Sequence, residues 1–152
     1  MPDEREGIVF RRNRLPQWRL DGGRYFVTWR LEGKDDCLSP AERSIVLEEI
    51  LRWKDERYLL SIAVVMDDHV HLVLQTMPGH DLSDVLQQWK GASAFGINRL
   101  RGCKGKRWQK ASYTELLSND AAVESRRIYV YENPRRRWGT EPHLYKWLIH
   151  FI

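Results

Sequence analysis

His69-Val70-His71 is the tripeptide of this chain that packing explains least. Alternate residues of a strand point to one face, so in a strand His69 and His71 project together while Val70 points away. Two imidazoles on one side of a rigid strand can chelate a divalent metal. The plain alternative is a polar sheet face that happens to carry two histidines. A closed tetrahedral site needs further protein ligands, but a catalytic site that keeps waters and a phosphate oxygen needs only one more. Asn133 is a candidate. Tyr129 and Asn133 are four residues apart and share one face of a helix. If that face meets the histidines, the Asn133 carbonyl oxygen completes the metal site and the Tyr129 hydroxyl sits beside a metal-bound phosphate. An activated tyrosine can be a covalent nucleophile. A metal helps it by polarising the phosphodiester and neutralising developing charge. Helical tyrosines more often simply pack. Tyr131 competes for the role, but it lies about 200° around the helix from Tyr129, so only one of the two can face the histidines. Tyr25, Tyr58 and Tyr113 fall in or near strands and read as structural.

The elements that must position these residues follow from pattern and punctuation. Residues 25–31 are β-formers bounded by glycines and predict a strand. Ser39-Pro40 supplies an N-cap and a first-turn proline for an amphipathic helix over 40–53. Residues 58–66 and 69–76 predict two strands of a hairpin whose turn is Asp67-Asp68. Leu82, Val85, Leu86, Trp89, Ala92, Phe95 and Ile97 give a helix over 81–100, with Trp89 and Phe95 on its buried face. A short strand is expected at 107–113. Asn119 or Asp120 caps a last helix that runs to about 132, where Pro134 restricts Asn133. The aromatic tail, 139–152, either packs back on the body or holds a partner. This order predicts an α+β fold, an antiparallel sheet with flanking helices of ferredoxin-like type. We expect one domain over 1–152, with a basic N-terminal arm (1–24) and a C-terminal tail (140–152).

Charge separates along the chain. Residues 1–84 carry twelve basic and sixteen acidic residues, net −4, whereas 85–152 carry thirteen and five, net +8. Between 85 and 114 there are seven basic residues and no acid: Lys90, Arg99, Arg101, Lys104, Lys106, Arg107 and Lys110. A field of one sign attracts polyanions, nucleic acid first among them. The balance of 42% hydrophobic and 30% charged residues argues against disorder. No apolar run is long enough to span a bilayer, and the opening MPDEREG lacks a signal-peptide pattern. Cys37 and Cys103 make neither a disulfide scaffold nor a zinc ribbon. A cytoplasmic protein with no membrane association is expected.

Three segments together carry a resemblance: RLPQWRLDGGRYFVTWRL (14–31), VVMDDHVHLVLQ (64–75) and YVYENP (129–134). In this order and at these spacings, over residues 11 to 140, the chain resembles the REP-associated tyrosine transposases of the single-tyrosine HUH insertion-sequence superfamily. The resemblance implies an HUH nuclease core and a metal-dependent endonuclease and strand transferase acting on single-stranded or hairpin DNA. It assigns His69 and His71 as the metal pair, Tyr129 as the nucleophile, Asn133 as a further metal-binding residue, and Mg²⁺ or Mn²⁺ as the metal. It implies a 5′-phosphotyrosine intermediate, repetitive palindromic DNA as substrate and a nucleoid-associated location. A monomer or a homodimer suits it equally.

Two segments depart from the family pattern. Met66-Asp67-Asp68-His69 stands where Met-Pro-Asn-His often precedes the second histidine, which puts two acids beside a phosphate site. Asp68 then either binds metal or is solvated. Arg135-Arg136-Arg137 follows Asn133-Pro134 and is basic enough to grip a phosphate backbone. Arg11, Arg12 and Arg14 of the arm, the acid-free cations, Arg135 and Arg136 form the expected DNA surface. The competing readings are a catalytically silent, domesticated DNA-binding protein and an RNA-binding module of ferredoxin-like fold.

Overall fold

The computed structural model describes residues 8–11 and 22–151. Its elements run β1 (Ile8–Arg11), β2 (Arg24–Arg30), α1 (Pro40–Arg52), β3 (Tyr58–Val65), β4 (His69–Thr76), α2 (Leu82–Arg101), β5 (Tyr113–Leu116), α3 (Asp120–Tyr131), α4 (Asn133–Trp138), a 3₁₀ turn (Pro142–Leu144) and β6 (Leu148–His150). The sheet is antiparallel throughout, in the order β1-β5-β2-β4-β3-β6. Its inner four strands with α1 and α2 form the βαββαβ ferredoxin-like arrangement.

The two faces of the sheet are dressed differently. Tyr25, Val27 and Trp29 of β2 and Val70, Leu72 and Leu74 of β4 form a core with Val46 and Ile50 of α1 and Trp89 and Ile97 of α2. Trp29 stacks on Trp89 at 5.6 Å. Trp89 Nε1 donates to the Tyr58 hydroxyl, which donates to the Ile50 carbonyl, whereas the buried Trp29 Nε1 has no partner among the described residues. The opposite face is smaller. Phe26, Ile62, Val64 and Val73 pack there with Val130 of α3 and Tyr145 of the tail. β4 runs through the centre and is buried on both faces, so His69 and His71 sit under α3 rather than on an open surface.

Local chemistry explains most boundaries. Ser39 caps α1 in a reciprocal box, its hydroxyl accepting from the Glu42 N–H and the Glu42 carboxylate from the Ser39 N–H. Asn119 caps α3 by accepting from the Ala122 N–H. α2 stops at Gly102, which turns left-handed at φ 68°.

Four expectations change. The strand predicted at 107–113 is at Tyr113–Leu116; of the earlier residues, Trp108 makes one bridge to Leu31 and buries its ring against α2. Phe95 is 68% exposed, not buried. α1 and α2 come close at Gly96 instead, where a Cβ would meet Ile45 at 2.8 Å, and Phe95 is turned outward. The last expected helix, α3, does end near 132, at Tyr131, but a further short helix that was not expected, α4, starts at Asn133. Pro134 stands in the first turn of α4, where its missing N–H costs nothing. Finally, part of the proposed arm is the edge strand β1, paired with β5, while the tail follows the first of its two readings and packs back on the body as β6, paired with β3. Arg12 and Arg14 lie outside the described residues.

Candidate active site

The β2–β4 register puts Thr28 directly opposite His71, so both side chains leave the sheet on one side. The Thr28 hydroxyl and His71 Nδ1 are 2.6 Å apart. His69 Nδ1 is 2.6 Å from Asp68 Oδ1 in the hairpin turn. With both Nδ1 atoms engaged, Nε2 is the nitrogen each ring can offer. The two rings stand 4.5 Å apart, centroid to centroid. Burial pushes His71 well below its ordinary pKa, helped by His69 and by Arg30, Arg126 and Arg136. Burial also lowers His69, against the pull of Asp68. Both therefore stand as neutral imidazoles at neutral pH, the form that ligates metal. Among the described residues no cluster of three His, Cys, Asp or Glu side chains that could hold a metal ion is found.

α3 lies over these rings and presents Tyr129. Its ring is 5.3 Å from His71 and 5.9 Å from Phe26, both edge-on. Tyr131 points elsewhere, against His150 at 5.6 Å. Two guanidinium groups flank Tyr129: Arg136 at 4.4 Å and Arg126 at 5.3 Å from the ring centre. Arg136 also donates to the Tyr129 carbonyl. Arg126 is buried, stacked over Phe26, and held by Glu115 at 2.8 Å. Asn133 is buried at the start of α4, one turn beyond Tyr129, and hydrogen-bonds to neither histidine. Sequence reasoning missed Thr28, Glu115 and Arg126. The β2–β4 register alone makes Thr28 a partner of His71, and spacing along one chain does not reveal that register.

Asp68 is bound to His69 and to Arg137. The basic residues also divide. Arg101 is tied to Glu42 and Asp36, and Arg107 to Asp36. Lys90 donates to the Gln109 and Lys110 carbonyls and the Ser112 hydroxyl, and its pKa falls to about 8 through burial. Lys106 reaches Glu32 at 3.6 Å, and Arg135 bridges Glu132 and Glu141. Arg99, Lys104 and Lys110 are exposed.

A strand-borne histidine pair faced by a helix-borne tyrosine is set within a segment that matches a known family profile. The profile described as "Transposase IS200 like" matches residues 24–133. The chain belongs to the IS200-like transposases. Two solved structures share the fold of this transposase. One is a REP-associated tyrosine transposase bound to a REP hairpin, with TM-score 0.67 and 21% identity over 80% of this chain and 72% of that one. The other is a protein of Deinococcus radiodurans R1 described as a transposase, with TM-score 0.51 and 22% identity over 75% of this chain and 92% of that one. No curated protein matches the chain. Among the described residues no helix of the transposase is long and apolar enough to cross a membrane.

Proposed function

We propose that this transposase cleaves and rejoins single-stranded DNA through Tyr129, on hairpin-forming repetitive palindromic sequences. The observation that carries the reading is the Tyr129 ring against His71, with Tyr131 turned away. The Tyr129 oxygen attacks a DNA phosphorus atom, forming a Tyr–O–P bond as the bond from phosphorus to the 3′ oxygen breaks. The tyrosine proton ends, by way of solvent, on the released 3′-OH, and the protein keeps a 5′-phosphotyrosine. Attack by a 3′-OH reverses the step and joins strands without ATP, because the phosphotyrosine conserves the bond energy. Arg126 and Arg136 place positive charge where the phosphate gains negative charge.

The donor set fits a hard divalent cation that keeps several open positions. Two neutral imidazoles with fixed Nδ1 partners would supply Nε2, and Asn133, buried at the start of α4, would supply an oxygen. Bound there, Mg²⁺ or Mn²⁺ would polarise the phosphodiester and neutralise its charge. Arg99, Lys104 and Lys110 are exposed cations of the acid-free stretch that are available to a DNA backbone. Cytoplasmic work at the nucleoid suits such an enzyme. The sheet edge next to β3 is already occupied by the chain's own β6, which favours action as a monomer.

The test is a covalent-adduct gel with labelled hairpin DNA and Mn²⁺ or Mg²⁺. A metal-dependent adduct should form with wild type and Tyr131→Phe and disappear with Tyr129→Phe and His71→Ala. Tight DNA binding without any adduct would instead make the chain a silent DNA-binding protein.

A further inference from the structure

The two histidines are held by unlike partners. His71 leans on Thr28, a neutral hydroxyl inside the sheet. His69 leans on Asp68, a carboxylate on the turn between β3 and β4 whose side chain is 37% exposed. That carboxylate is not left to solvent. Arg137 of α4 reaches back to the turn, with Nη1 3.4 Å from Asp68 Oδ1 and Nη2 2.9 Å from Asp67 Oδ1. One residue, Glu132, separates α4 from α3, the helix that carries Tyr129. A continuous set of contacts, His69–Asp68–Arg137, thus joins one imidazole to the helical segment that follows the tyrosine.

We propose that Asp68 is a positioning residue that fixes the tautomer and ring angle of His69, and that Arg137 docks the tyrosine-bearing segment onto that carboxylate. The proposal rests on reading His69 and His71 as the metal pair. The physical basis is direct. A carboxylate that accepts from Nδ1–H keeps the proton there, presents the Nε2 lone pair and makes the ring a better ligand. Arg137 and both carboxylates are partly exposed, so the ion pairs add little global stability. What they supply is geometry between two elements that must meet within about 1 Å for in-line attack.

Mn²⁺ is titrated into wild type, Asp68→Ala, Asp68→Asn, Arg137→Ala and His71→Ala, and the disappearance of the free-ion electron paramagnetic resonance signal is followed. Melting curves check each fold. Asp68→Ala should bind Mn²⁺ about 10- to 100-fold more weakly. Asp68→Asn, whose amide oxygen still accepts from Nδ1–H, should recover most of that affinity and guards against a folding defect in the alanine variant. Arg137→Ala should keep wild-type Mn²⁺ affinity yet form the DNA adduct about tenfold more slowly. Wild-type affinity in Asp68→Ala, with binding still abolished by His71→Ala, would overturn the role of Asp68 and leave the metal pair standing. A wild-type adduct rate in Arg137→Ala would overturn the docking role. Absence of Mn²⁺ binding to wild type, or its persistence in His71→Ala, would remove the metal pair and this proposal with it.

Discussion

Two basic regions of this transposase look alike in sequence and behave differently in space. The acid-free stretch along α2 and the loop after it reads as a polyanion track. In the fold, acids from the first half of the chain come to meet it: Arg101 and Arg107 close on Asp36 and Glu42, and Lys90 is turned inward onto the 109–112 backbone. The cations of α3 and α4 are partly paired as well, Arg126 with Glu115 and Arg137 with Asp67 and Asp68, but they gather around the tyrosine and the histidines. Arg126 and Arg136 converge on the Tyr129 ring, and Arg137 on the acids beside His69. Counting charge along a chain locates cations. Only the fold says whether they are neutralised at home or aimed at a partner.

The sharpest way to break the comparison is Arg126→Ala. Glu115 would be left buried without its partner, which costs about 3–5 kcal/mol. Urea unfolding should show a drop of that size. A change under about 1 kcal/mol would mean the pair is hydrated in solution.

Next comes Arg101→Ala, which removes charged hydrogen bonds to Glu42 and Asp36 and should cost about 1.5–3 kcal/mol. DNA affinity should hardly move. A tenfold fall in affinity at unchanged stability would return Arg101 to the DNA surface. The same variant has a pH signature. Arg101 holds the Glu42 carboxyl below its ordinary range against burial. Burial alone would raise Asp36, but Arg107 and Arg101 together hold it low as well. Folded-state pKa values below the unfolded ones give stability that is present above about pH 4 and lost as the pH falls through the folded values. Unfolding free energy of the wild type should therefore drop below about pH 4, and less steeply in Arg101→Ala.

Arg136→Ala probes the other region. Arg136 is exposed and stacked on the Tyr129 ring, so stability should stay within about 0.5 kcal/mol. The rate of adduct formation should fall about tenfold or more. The smallest effect is expected for Arg99→Ala, Lys104→Ala and Lys110→Ala combined. Stability and adduct chemistry should stay intact. The slope of log DNA affinity against log salt should become shallower by about one for each phosphate that these side chains neutralise in the wild type. An unchanged slope would take all three off the DNA surface.

How much of this was legible beforehand depended on the range of the interaction. The hairpin with its histidines, the caps at Ser39 and Asn119, and the opposed directions of Tyr129 and Tyr131 are local, and periodicity reveals them. The partners across the sheet are not local. Thr28 stands 43 residues from His71, and Arg101 stands 59 from Glu42. Phe95 fitted the helical period and still faces solvent, because α1 and α2 approach at Gly96, where a Cβ would meet Ile45. β6 has only three residues and exists because β3 offers an open edge.

The most direct test of the central claim is to locate the DNA on the protein. The adduct formed by wild type with hairpin DNA is trimmed with nuclease, digested and sequenced by mass spectrometry. A nucleotide remnant on Tyr129 is the predicted result. A remnant on Tyr131, or on any other side chain, would contradict the account.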